Sequence, residues 1–213
     1  MTRTTLALAL TLLIGCAGED KDTAASAGVQ STDTGDAGDT ATQGDEAAGP
    51  SFVPLADDGA SVQALEPARY LGLWYEIATT PSFQQTRCVG TTAQYSLRDD
   101  GLIGVTNRCY LDSLDGPLNQ IEGTAKPVDD TFARLLVDLG VGFTAPYNVV
   151  ELDGTDGDAP YDFAVVSSGG RALWVLHRQP QMDPELYTVL VQRALDSGLP
   201  ALDLIPTEQP AAQ

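Results

Sequence analysis

Few side chains in this 213-residue chain could do chemistry, and those few narrow the choices. His177 is the single histidine, so a site built on several imidazoles is closed to it. A serine hydrolase would need His177 as its base, with Ser167 or Ser168 as nucleophile. The run Ser167-Ser168-Gly169-Gly170 reads instead as a hairpin turn, not as the strand-to-helix elbow that presents a nucleophilic serine. Two acidic stretches invite a cation. Asp33 to Asp39 lacks the spacing and closing glutamate of a calcium loop, and Glu151 to Asp162 reads as a solvated acidic hairpin. The expectation is a protein without catalysis, metal or cofactor.

The three cysteines are more informative. Arg3 followed by the apolar run Leu6 to Ile14 is too short to span a bilayer and reads as a signal peptide over residues 1–15. Its end, Leu13-Ile14-Gly15-Cys16, resembles the bacterial lipobox, in which the cysteine is diacylated and becomes the first mature residue. The alternative is an ordinary secretory signal cut near Ala17. Because Ala17 follows the cysteine, where aspartate marks inner-membrane retention in enteric bacteria, that resemblance favours the outer membrane. Two or three acyl chains, at about 0.8 kcal/mol per buried methylene, would anchor stably.

With Cys16 acylated, Cys88 and Cys109 are left as an even pair in an oxidising compartment, and a disulfide between them is expected. They flank a hairpin whose turn is Asp99-Asp100-Gly101. A ladder centred on Asp100 sets Cys88 opposite position 112, out of register with Cys109, so a bulge or irregular start near Thr86 to Val89 is required.

The formal charge of −19 divides as +1 over residues 1–16, −9 over 17–60 and −11 over 61–213. Both mature segments are acidic, which excludes nucleic acid and a basic membrane-surface patch. From Ala17 to about Ala60 there is hardly an apolar residue before Phe52 and Val53. Such a segment cannot offset its ordering entropy, so residues 16–60 read as a lipidated cysteine on a disordered tether reaching about 35–40 Å. The single folded domain is assigned to residues 61–213.

That domain offers eight short alternating runs from Leu73 onward, in meander order, with turns at Asp99-Gly101, Asp153-Asp158 and Gly169-Gly170. An all-β, eight-stranded antiparallel up-and-down barrel suits the pattern, and a two-sheet sandwich fits the count as well. One helix follows. Asp183 can cap it, Pro184 fits its first position, Gly198 stops it, and Leu186, Val189, Leu190 and Ala194 form a stripe to pack on the outside of the barrel. Ala201 to Ile205 reads as a short extended return to the sheet.

Four blocks in this order resemble the lipocalins, most of all the bacterial lipoprotein lipocalins and apolipoprotein D. They are Tyr70-Leu71-Gly72-Leu73-Trp74-Tyr75-Glu76-Ile77-Ala78, Tyr95-Ser96-Leu97-Arg98-Asp99-Asp100-Gly101, Tyr147-Asn148-Val149 and Trp174 through Pro180. The resemblance implies that Gly72, Trp74 and Arg178 close one end of the barrel, the guanidinium lying across the indole at a gain of about 0.5–2 kcal/mol. It also implies a hydrophobic ligand, a fatty acid or lysophospholipid, in a cup open at the other end. Tyr95, Val105, Leu135, Val137, Tyr147, Val149 and Phe163 are the alternating residues that could line such a cup, subject to a one-residue slip that would turn any of them outward. The competing expectation is a filled barrel that docks a partner protein and carries no ligand.

Overall fold

In the computed structural model, which describes residues 49–82 and 85–211, the chain from Gly72 runs as eight consecutive strands. They are β1 (Gly72–Thr79), β2 (Cys88–Leu97), β3 (Ile103–Leu111), β4 (Leu118–Pro127), β5 (Arg134–Asp138), β6 (Thr144–Leu152), β7 (Phe163–Ser168) and β8 (Ala172–His177). Each pairs antiparallel with the next, and β1 pairs with both β2 and β8. The sheet therefore closes into the expected barrel, and the sandwich alternative falls. The signal peptide expected over residues 1–15, Cys16 and most of the expected tether fall outside the described residues.

The turns explain the register. Asp100 accepts the Leu102 N–H at 3.1 Å and Gly101 takes φ +80°, so the hairpin is centred on position 100 and sets Leu97 opposite Ile103. Farther along, a bulge between Val89 and Thr92 moves Cys88 opposite Leu111. The cysteines then meet diagonally as a Cys88–Cys109 disulfide with Cα atoms 5.3 Å apart. The irregularity the sequence demanded near Thr86 to Val89 is present slightly later, between Val89 and Thr92.

Alternation along the strands separates two apolar clusters. The inner one fills the barrel and includes Trp74, Tyr95, Val105, Leu135, Val149 and Leu176. The outer one joins Val150, Phe163, Val165, Leu173 and Val175 to the helix α2 (Pro184–Asp196). Asp183 caps that helix by accepting the Glu185 and Leu186 N–H groups, as its sequence position implies. Leu190 and Ala194 are buried beneath it, while Val189, placed in the stripe by sequence, is exposed. At its last turn Arg193 bonds the buried Glu151 carboxylate at 2.7 Å and stacks 4.0 Å over the Phe52 ring, tying helix, β6 and N-terminal segment together.

That last contact corrects the tether boundary. Residues 51–60, assigned to a disordered tether, are part of the folded unit: Val53 donates to the Leu152 carbonyl, Gly154 donates to that of Ser51, and Leu55 bridges to Val62. Phe52, Val53 and Leu55 supply enough apolar surface to hold an otherwise polar stretch down. At the other terminus, Ala201 to Ile205 is not extended throughout; a 3₁₀ turn (Ala201–Asp203) precedes a two-residue β9 (Ile205–Pro206) on β1. The chain beyond β9 bridges β1 and β2 where they diverge, with Thr207 donating to the Ile77 carbonyl and Gly90 donating to that of Glu208.

Candidate ligand site

One end of the barrel is plugged. The helical turn α1 (Pro67–Tyr70) delivers the chain to Gly72, whose φ of +102° only glycine adopts easily. Two residues on, Trp74 is fully buried and its indole N–H donates to the Tyr70 carbonyl at 2.8 Å. Arg178, the residue after β8, lies 3.8 Å over the indole centroid. Its Nε donates to the Tyr161 carbonyl at 2.8 Å, Nη1 to Leu73 at 2.7 Å, and Nη2 to Arg69, Tyr70 and Leu71 at 2.8–3.2 Å. Burial lowers the Arg178 pKa from its ordinary value, yet the fork remains charged and spans five carbonyls of the turns it covers.

Above the plug the interior is aromatic. Tyr147 stands between two other tyrosines, its hydroxyl 2.7 Å from that of Tyr70 and 2.9 Å from that of Tyr95. Burial pushes all three phenols up, Tyr95 to about 12, so they are neutral hydrogen-bonding groups across the physiological range. Around them Leu65, Tyr70, Tyr95, Ile103, Leu135 and Val149 line an apolar cleft whose free volume is about 10 Å³.

Six of the seven lining residues named from sequence belong to this interior: Tyr95, Val105, Leu135 and Val149 are buried in the inner cluster, with Val137 and Tyr147 packed against it. Phe163 does not. Its neighbour Ala164 faces in, so Phe163 faces out, into the outer cluster with its ring 5.4 Å from that of Phe52. Sequence reasoning missed Tyr70, Ile103 and Leu176 as lining, and it missed Glu76. The signal for Glu76 was present, since period two puts it on the face of Trp74.

The far end is the mouth. Ala125 faces in on β4, and by alternation so does Ile121, yet Ile121 is 36% exposed. Val141 and Phe143 of the β5–β6 loop are exposed at the same end.

Elsewhere the polar groups singled out from the sequence are engaged structurally. His177 faces outward, as its neighbour relation to Arg178 implies, with Nε2 3.5 Å from Asp162 and Nδ1 3.1 Å from the Gln179 carbonyl oxygen. Ser167 accepts the Gly170 N–H at 3.2 Å and pairs with Leu173, whereas His177 pairs with Phe163, so the two sit at opposite ends of β7 and β8. That geometry assembles no serine–histidine pair. In the acidic turn Asp153 accepts from the Thr155 N–H and hydroxyl and from the Asp162 N–H, which occupies its carboxylate within the turn.

Residues 65–209 match the model of the lipocalin-like domain family. The chain is 36% identical over 156 residues to a putative lipocalin of Acanthamoeba polyphaga mimivirus, covering 70% of this chain and 87% of that one. It is 34% identical over 153 residues to the outer membrane lipoprotein Blc of Escherichia coli (71% and 83% covered) and 32% identical over 152 residues to apolipoprotein D of Bos taurus (66% and 75% covered). Among solved structures, H1 crustacyanin from the lobster Homarus americanus shares the fold with a TM-score of 0.56 at 17% identity, over 76% of this chain and 90% of that one. A one-ended barrel closed by arginine on tryptophan, matched over this length, makes the chain a member of the lipocalin family.

Proposed function

We propose that this chain is a lipid-anchored carrier that binds small hydrophobic molecules, fatty acids or lysophospholipids, at the outer membrane on its periplasmic or surface face. The carrying observation is the asymmetry of the barrel, plugged by Arg178 on Trp74 at one end and leaving inward-facing Ile121 36% exposed at the other. Members of the family bind small hydrophobic ligands, by occupancy and without bond making. The bacterial relatives named as outer membrane lipoproteins support the anchor at Cys16, with residues 1–15 as signal peptide.

A specific observation favours the second reading, a filled barrel that docks a protein. Three tyrosines cross the interior, and the cleft beside them leaves a free volume of about 10 Å³, far below that of a ligand pocket. Native mass spectrometry of the mature chain carrying Cys16→Ser decides between them. With fatty acid or lysophospholipid added, a bound adduct at micromolar concentration is expected, and absence of any adduct would sink the carrier reading. Cys16→Ala should also release the protein from membranes, and retention would refute the anchor.

A further inference from the structure

We infer that the chain carries a second binding site on the outside of the barrel, a pocket of about 190 Å³ that takes a small, uncharged, hydroxyl-rich molecule the size of a monosaccharide. The pocket is separate from the barrel interior, so the inference stands whether or not the chain is a carrier.

The N-terminal segment at Ala60, the strands β6 and β7, the Gly169-Gly170 turn and the end of α2 enclose it. Asn148 and Ser167, which belong to its wall, are paired across β6 and β7. Their neighbours Val149 and Val166 face into the barrel, so Asn148 and Ser167 face out. The volume equals about six waters at about 30 Å³ each. A Cβ built on Gly59 or Gly170 would meet no atom within 4 Å, so the pocket is reached from solvent past these two residues.

Two polar side chains in the wall have hydrogen-bonding capacity that the protein does not use. Ser167 is only 2% exposed; its Oγ accepts the Gly170 N–H at 3.2 Å, while its own hydroxyl hydrogen has no acceptor among the described residues. The Asn148 amide, with two donors and an acceptor, has no partner among the described residues either. Val150 and Leu199, which pack in the outer cluster, supply the apolar part of the wall.

Charge decides the class of ligand. No ionised side chain lines the pocket. Asp58 nearby is held by Arg134 at 2.9 Å and by the Ala60 N–H at 3.0 Å, and Asp196 accepts from Gln192 at 2.8 Å, so an ammonium finds no free carboxylate there. Arg134 is spent on Asp58 and Asp129, which leaves an anion only the exposed Arg171 beyond the turn. The negative end of the α2 dipole and the formal charge of −19 disfavour an anion further. A neutral pyranose meets the wall on both counts: its hydroxyls accept from Ser167 and exchange hydrogen bonds with Asn148, and its C–H face rests on Val150 and Leu199.

The test is a heteronuclear NMR titration of the mature Cys16→Ser chain with methyl glucoside, with sodium acetate and methylammonium chloride as charged controls. Saturable amide shifts are expected at Ala60, Asn148, Ser167 and Gly170, half-complete at about 1 mM, with inner-cluster residues such as Val105 unmoved. Neither salt should reproduce them. Asn148→Ala should weaken the glucoside about fivefold or more, and Ala60→Phe, placed on an exposed segment, should fill the pocket and abolish the shifts. No saturable shift at these residues up to about 50 mM glucoside overturns the inference, as does an equal response to either salt. Unchanged glucoside affinity in both variants overturns it too. The parent titration decides even if a variant fails to fold, and a chain that takes up no fatty acid or lysophospholipid would still show the glucoside shifts.

Discussion

Arg178 and Trp74, 104 positions apart in sequence, meet with guanidinium carbon 3.8 Å from indole centroid, and the same guanidinium holds the Leu73 carbonyl, 105 positions away. One side chain thus joins the end of the last barrel strand to the entry of the first. Closure of the sheet is a backbone property of the β1–β8 ladder. The plug adds a second, side-chain lock at the end where that ladder begins.

Arg178→Ala should therefore act on stability first. It removes the stacking and leaves five carbonyls to find other donors, for a loss of about 2–4 kcal/mol in urea unfolding. Arg178→Lys keeps the charge but loses the planar fork, and should recover only part of that loss. Ligand affinity should fall only as far as the barrel loosens. Unchanged stability with collapsed affinity would make Arg178 a ligand contact instead of a plug.

Gly72 sharpens the same corner. A Cβ there would meet Arg178 Nη1 at 3.4 Å, an ordinary contact, so crowding is the minor cost. The backbone is the major one, since φ +102° lies outside the regions open to other residues. Gly72→Ala should cost about 1–3 kcal/mol by strain, and it should do so equally when Arg178 is already alanine. A double-mutant cycle checks this; strong coupling would show that contact with Arg178 dominates.

The barrel was legible because period-two alternation and turn residues are local signals, whereas the plug was expected only from the family resemblance carried by the Gly-x-Trp block and the Arg178 block. Phe163 was misplaced because face depends on where a strand begins, and the chain before β7 is an irregular acidic turn with no ladder to set the phase. Residues 51–60 were misread for a different reason: three apolar side chains among polar ones look like a tether until β6 and α2 offer them a surface. Glu76 was hidden inside a motif whose neighbours drew the attention, and no local pattern reveals that its partners come from Gln85 and Thr207, 131 residues away in the second case.

The disulfide closes a loop of 21 residues between the mouth ends of β2 and β3. On the chain-entropy account a loop of this size contributes about 3 kcal/mol. Cys88→Ala with Cys109→Ala should lower the urea midpoint accordingly. The plug is at the other end of the barrel, so, with the second tryptophan removed by Trp174→Phe, the fluorescence of buried Trp74 should stay native-like in the folded variant. A red-shifted emission before unfolding would mean that mouth and plug are coupled.

Glu76 gives the stability profile a sign. Burial raises its pKa above 4.5, and the hydrogen bonds from Thr207 and Gln85 only partly oppose that, with Tyr95 and no cation as its electrostatic neighbours. Between 4.5 and the raised folded value the folded chain binds a proton that the unfolded chain has lost, so stability falls as pH rises through that window. Glu151 shifts the same way by burial, opposed by Arg193, and adds to the slope. Asp58, Asp100, Asp112 and Asp129 work in the other window: hydrogen bonds hold each below 3.8, so their stabilisation is present above that value and is lost as pH falls through their folded pKa values. Stability should accordingly peak in the mildly acidic range and decline toward neutrality. Glu76→Gln cannot titrate, so urea unfolding from about pH 4 to about pH 7.5 should show a flatter decline than the parent chain, with the Glu151 share remaining. A parent profile that rises monotonically to neutral pH would mean that Glu76 is ionised in the folded barrel at little cost, and that something other than Gln85 and Thr207 stabilises its charge.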